Sequence, residues 1–114
     1  PPDKILMGMP DYGYDWITGE FPAEHLPAQR AVTRAYEVGA EIQFDPVSQA
    51  PFYRYYDAEG RRHTVWFNDA RSIQALLRLV DQYGLRGISV WTIVEYFPQF
   101  WLVLSSMYDV EKVL

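Results

Sequence analysis

Leu85–Leu114 reads LRGISVWTIVEYFPQFWLVLSSMYDVEKVL, and its first half decides the fold. Gly87-Ile-Ser-Val-Trp91 is a short apolar run entered just after the turn residue Gly84, which predicts a buried strand. A loop follows. Pro98 then opens an amphipathic segment with Phe97, Trp101, Leu104 and Tyr108 on one stripe, and Pro suits the first position of a helix. A strand that delivers a large ring at its end and then gives way to a helix is one βα unit of a parallel sheet. Chemistry in such sheets collects where the strands end.

The start of the chain offers a second strand of this kind, Lys4-Ile-Leu-Met-Gly-Met9, closed by Pro10 and Gly13. Residues 17–27 hold Gly19, Pro22 and Pro27 and read as a loop. Ala28, Ala31, Val32, Ala35 and Val38 recur at helical spacing, with Pro27 suited to the first turn and Gly39 as the stop. Glu41–Asp45 alternates like a strand. Pro51–Asp57 and Arg62–Phe67 flank Ala58-Glu59-Gly60, a hairpin signal. Asn68 or Asp69 can cap a helix with Ile73, Leu76, Leu77 and Val80 on its buried face and Gly84 at its end.

This order predicts that Lys4–Met9 and Leu85–Trp91 lie parallel, joined by a right-handed crossover. The middle strands and the Ala28–Val38 helix are expected to form a small antiparallel lobe above the strand ends. The fold class is then α+β: two strands and the last helix of a (β/α)₈ barrel, carrying an inserted α+β lobe. The expected division is barrel strand and exit loop over 1–16, lobe over 17–68, and helix, strand and helix over 69–114. A complete barrel needs roughly 200 residues or more, so a chain of 114 residues is expected to be a piece of an enzyme.

The totals narrow the chemistry. Net charge is −5 with the basic residues scattered, which argues against a nucleic-acid partner. There is no Cys, so neither a disulfide framework nor a thiolate zinc site is available. No apolar run is long enough for a membrane span. Four Trp, nine Tyr and six Phe suffice for a core and also for a sugar-stacking surface.

Three blocks of sequence carry a resemblance to the carboxyl-terminal part of family 18 glycoside hydrolases, the chitinase-like barrels. Lys4-Ile-Leu-Met-Gly-Met-Pro-Asp-Tyr-Gly-Tyr-Asp-Trp16 resembles the seventh barrel strand and its G-x-P-x-Y-G exit. His63-Thr-Val-Trp-Phe-Asn-Asp-Ala-Arg-Ser-Ile73 is similar to the end of the chitinase insertion domain, leading into the seventh helix. Gly87-Ile-Ser-Val-Trp-Thr-Ile93 with Pro98-Gln-Phe-Trp101 resembles the eighth strand and helix. The branch it resembles most contains bacterial spore-cortex and cell-wall lytic enzymes.

The resemblance implies hydrolysis of a linkage next to an N-acetylated sugar. The substrate's own acetamide attacks the anomeric carbon and one Glu acts as general acid, an exception to the two-carboxylate scheme. The family's D-x-x-D-x-D-x-E motif, which carries that Glu, is not among these residues. No catalytic residue is therefore assigned, and the chain alone is expected to be inactive. The implied partners are an N-acetylated glycan of peptidoglycan or chitin type and the remainder of the parent barrel. No cofactor is called for, and the implied location is extracellular, at the cell wall or spore.

On residue pattern alone, Trp91 reads as a core residue; the resemblance makes it the floor beneath the bound sugar. Tyr12 matches the family Tyr that reaches into the cleft, and Tyr14 replaces the Arg many chitinases carry there. Glu95 lies at the mouth of the cleft, as either a substrate contact or a solvated carboxylate. Trp66 and Phe67 are cleft wall or lobe core. Asp11 and Asp15, four apart around a Gly, are expected to cap local backbone N–H groups. Asp69, Arg71 and Ser72 read as a helix cap with an ion pair. His25 and His63 show no metal-ligand spacing. Two other functions fit the same composition: a glycan-binding module without catalysis, and an interaction domain whose exposed strand edges pair with other chains. Unpaired edges also predict self-association.

Overall fold

The computed structural model describes residues 1–113. After a 3-10 turn at Pro2–Lys4, strand β1 (Leu6–Pro10) pairs in parallel with β7 (Gly87–Trp91), in the register Leu6 to Gly87 through Pro10 to Trp91. Both strands therefore end at the same level, which places the segments after Pro10 and after Trp91 side by side.

The second sheet is antiparallel, with five strands in the order β3-β2-β6-β5-β4. Its members are β2 (Tyr12–Ile17), β3 (Glu24–Pro27), β4 (Gln43–Asp45), β5 (Ala50–Tyr56) and β6 (Arg62–Trp66). The β5–β6 hairpin turns at Asp57–Arg61, where Gly60 takes a left-handed φ of 78°, a conformation that favours Gly.

The sequence reading needs correction at the start of this sheet. Tyr12–Ile17 is a strand rather than an exit loop, and Glu24–Pro27 is a strand inside the stretch read as a loop. Tyr-Gly-Tyr-Asp-Trp-Ile does alternate, with Gly13 and Asp15 buried and Tyr14 and Trp16 exposed. Gly13 is no turn residue here. A Cβ at that position would stand 2.1 Å from the Trp66 carbonyl oxygen and 2.5 Å from Phe67 Cβ, so the missing side chain is what lets β2 close onto β6.

Helix α1 (Ala28–Glu37) packs Ala28, Ala31 and Ala35 inward. These small residues let the helix approach the sheet, where Leu26, Tyr53, Val65 and Phe67 complete the lobe core. The buried Tyr53 hydroxyl donates to the Ala31 carbonyl at 2.7 Å, which satisfies a polar group that would be costly to bury alone. Helix α2 (Ala70–Tyr83) begins with a reciprocal capping box between Asp69 and Ser72 and ends at Gly84 with φ 61°. Arg71 pairs with Asp69 at 2.8 Å, as the cap reading required.

Helix α3 (Pro98–Met107) starts at Pro98, and Phe97, Leu104 and Tyr108 of the expected stripe pack on the core, but Phe100 takes the buried place expected of Trp101. Phe97 and Phe100 enter the second core with Met9, Ala28, Ile73 and Leu77, while Trp101 is 41% exposed. Phe100 to Leu104 is apolar without a break, so sequence periodicity could not choose the inward side.

Candidate functional site

The site is built where β1 and β7 end. Trp91 is the last residue of β7, and its side chain is 71% exposed despite the apolar strand that carries it. A flat indole standing at a strand end can meet the C–H face of a sugar. The peptide bond after it, Trp91–Thr92, is cis.

Asp11 follows β1 and is almost wholly buried, at 3% exposure. It holds the end of β7 from two sides: its N–H donates to the Trp91 carbonyl at 3.4 Å, and its Oδ1 accepts the Thr92 N–H at 2.9 Å. Asp11 thus accepts from a backbone group 81 residues away, not from the local turn that its spacing suggested. Burial pushes its carboxyl upward from the ordinary value; the Thr92 N–H pulls the other way, and the neighbouring Glu95 charge adds to the rise. Asn68 braces the same corner, donating from Nδ2 to the Pro10 carbonyl at 2.8 Å.

The next elements bring side chains to this corner. Tyr12 begins β2, and its ring lies 4.7 Å from that of His25 on β3. His25 Nε2 meets Glu95 Oε1 at 2.5 Å, a contact across 70 residues of sequence. Glu95 is therefore a held carboxylate and not a solvated one. Trp91, Tyr12 and Glu95 share one neighbourhood, with Asp11 and His25 as the residues that connect them.

Tyr14 and Trp66 lie further out, directly opposite one another on β2 and β6. Both stand on the face of the sheet away from α1, and Trp66 stacks on Phe52 at 4.6 Å. Phe67, by contrast, belongs to the lobe core. The other face of the sheet carries a buried polar network. Asp15 accepts from Arg34 at 2.8 Å and from the Tyr55 hydroxyl at 2.5 Å, and its Oδ1 lies 2.7 Å from His63 Nδ1. Asp15 is thus an organiser of the lobe interior, not a turn cap.

Comparison with known proteins agrees with this geometry. The model of the glycosyl hydrolases family 18 matches residues 1–95. The chain belongs to that family. It is 50% identical to the cortical fragment-lytic enzyme of Bacillus subtilis (strain 168), across 98% of this chain and 27% of that protein. It is 33% identical to the di-N-acetylchitobiase of Rattus norvegicus, across 79% of this chain and 30% of that protein. The crystal structure of the Bacillus megaterium QM B1551 spore cortex-lytic enzyme SleL superposes with a TM-score of 0.93 at 42% identity, over 100% of this chain and 28% of that one. The chain thus spans less than a third of the length of each of these relatives. Its mixed α/β fold with an antiparallel sheet is one found in family 18 structures, and the resemblance read from the three sequence blocks holds.

Asp11 and His25 stand at this strand-end corner, where the sequence reading gave Asp11 only a local capping role and His25 none. Neither had a local signal, since each acts on a residue at least 70 positions away. The period-two alternation of Tyr12, Tyr14 and Trp16 was available, but Pro10 and Gly13 suggested a turn instead.

Proposed function

We propose that the full-length protein carrying this chain is a glycosidase that cleaves N-acetylglucosamine-containing glycans of the cell wall or spore cortex, outside the cytoplasm. The chain supplies the last two strands and last helix of a (β/α)₈ barrel, over 1–11 and 69–114, and the insertion lobe over 12–68, since β2 belongs to the lobe sheet. Cleavage is substrate-assisted and retaining: the acetamide attacks the anomeric carbon while a Glu elsewhere in the protein protonates the leaving oxygen. Trp91 forms the floor under the reacting sugar. Tyr12, Tyr14 and Trp66 line the lobe side of the cleft, and Glu95 contacts the substrate at its mouth. Because these 114 residues hold no D-x-x-D-x-D-x-E motif, the isolated chain binds without cleaving.

The observation that carries this reading is the exposed Trp91 ring at the end of a parallel strand, beside the buried Asp11. Strand ends are where parallel sheets place ligands, and a flat indole there suits the C–H face of a sugar. The test is turnover of an N-acetylglucosamine tetramer and of spore-cortex fragments by the full-length protein. Cleavage with retained anomeric configuration supports the glycosidase. Binding without cleavage selects the non-catalytic glycan-binding module instead. The exposed edges of β1 and β7, with Trp101 and Leu102 on α3 at 41% and 69% exposure, support self-association of the isolated chain. Light scattering tests it, and a monodisperse monomer at high concentration rejects it.

A further inference from the structure

The outer face of the five-stranded sheet continues well beyond Tyr12, Tyr14 and Trp66, the residues placed in the cleft. Along β2, Tyr12, Tyr14 and Trp16 follow one another with ring centroids 5.8 and 5.9 Å apart, and Phe21 continues the file 5.9 Å beyond Trp16. The file begins beside the His25–Glu95 contact at the strand ends and leads away from it. Trp16, Thr64 and Arg54 form one row across β2, β6 and β5, and Tyr56 and Arg62 form a pair beyond it. Since side chains alternate between faces, Arg54 and Arg62 share the outer face with Trp16, as diagonal neighbours close enough to act on one ligand. The Arg54 guanidinium lies over the Phe52 ring, 5.1 Å from its centroid.

The charge of these two residues is uncommitted. Arg30, Arg34, Arg61 and Arg71 each pair with a carboxylate, whereas Arg54 and Arg62 have no ion-pair partner within 4.0 Å among the described residues. Both are exposed. In a chain of net charge −5, two free guanidiniums on an aromatic face make a local site of opposite sign. Aromatic rings take the C–H faces of sugars whatever their charge. Guanidinium forks add recognition of carboxylates.

We infer that the outer face of the lobe, with Trp16, Phe21, Arg54 and Arg62, is an extended subsite for a carboxylate-bearing glycan strand leaving the cleft. The occupant is a polymer whose sugar faces stack along the Tyr12–Phe21 file and whose acidic substituents reach Arg54 and Arg62. Peptidoglycan strands with lactyl or peptide carboxylates have this chemistry, and chitin does not. The inference rests on the glycosidase reading and narrows its substrate.

The experiment uses the full-length protein and two forms of one probe: solubilised peptidoglycan glycan strands with free carboxylates, and the same strands after their carboxylates have been amidated. KM and kcat are measured on each form for wild type, R54A/R62A and R54K/R62K. The wild type is expected to show a lower KM for the free-carboxylate form, a preference that shrinks as salt rises. R54A/R62A is expected to lose that preference by about five- to tenfold, chiefly through KM, and R54K/R62K to restore part of it. Thermal melting checks that the variants remain folded, and exposed Arg substitutions are expected to leave it nearly unmoved. Equal KM for the two forms in wild type, or an undiminished preference in R54A/R62A, overturns the inference while the glycosidase reading stands. Failure of the wild type to cleave either form or an N-acetylglucosamine tetramer overturns both.

Discussion

Asp11 Oδ1 accepts the backbone N–H of Thr92 at 2.9 Å, so one buried carboxylate fixes the position of the residue after Trp91. The substitution Asp11→Ala leaves that N–H without its partner and is expected to cost about 1–3 kcal/mol. Asp11→Asn keeps an acceptor oxygen and is expected to cost less. Thermal melting of the full-length variants ranks them; equal destabilisation by Ala and Asn would show that Asp11 acts through packing and not through this hydrogen bond.

His63 supplies the pH dependence of the lobe. Its Nδ1 lies 2.7 Å from Asp15 and its Nε2 lies 2.8 Å from Asp57. With a carboxylate at each nitrogen, the geometry suits the doubly protonated ring. Burial opposes that charge, but the hydrogen bonds to Asp57 and Asp15 prevail and raise the His63 pKa from its ordinary value. A raised pKa in the folded state means that the stabilisation is complete below the ordinary His value, about 6.5, and is lost as pH rises through the folded value. Asp57 moves the opposite way, held low first by His63, so its contribution fades only as pH falls through the acid range. The difference in stability between wild type and His63→Gln is expected to shrink from pH 6 to pH 8 (about the span of a His titration). Urea unfolding at both pH values, with NMR titration of the His63 ring, checks this; a difference that grows with pH contradicts it.

Asp15 is the buried anion between Arg34 and His63, and its side chain is 2% exposed. Asp15→Ala removes that shared acceptor and leaves Arg34 with Glu24 and His63 with Asp57 as their remaining anionic partners. Losing a buried hydrogen-bonded partner of this kind typically costs about 1–3 kcal/mol. Hydrogen exchange is expected to show lost protection in β2, β5 and β6, with β1 and β7 less affected. Unchanged protection in β5 and β6 would mean that the network contributes little.

Much of the lobe was legible because its signals are local. The β5–β6 hairpin has turn residues between alternating runs, and α2 carries both of its caps in sequence. The pairing of β1 with β7 followed from two apolar strands of similar length flanking a long middle segment. Other features depend on tertiary contact. Gly13 resembles a turn residue in sequence, yet in the fold it is the point where β2 meets the Trp66–Phe67 backbone. The inward choice of Phe100 over Trp101 needs α2 and β1 in place. His25 with Glu95 and His63 with Asp15 are joined across 70 and 48 residues, distances over which sequence spacing holds no pattern.

Gly13→Ala tests the β2 assignment. The added methyl would meet backbone at 2.1 Å, which forces β2 away from β6. Overpacking of this kind costs about 1–3 kcal/mol or more. The expected result is a lobe with β2 and β3 amides exposed to exchange; normal protection there would return residues 12–17 to a loop.

The central claim is that Trp91 forms the sugar floor of a glycosidase, and the direct measurement is hydrolysis of an N-acetylglucosamine tetramer by full-length wild type and Trp91→Ala. The account predicts cleavage by the wild type and a fall in kcat/KM of about 10²-fold or more in the variant, most of it in kcat if the ring helps distort the sugar. The melting temperature is expected to stay close to wild type, because the account places the ring against substrate and not in the barrel core. Full activity in a normally folded Trp91→Ala protein would contradict the account.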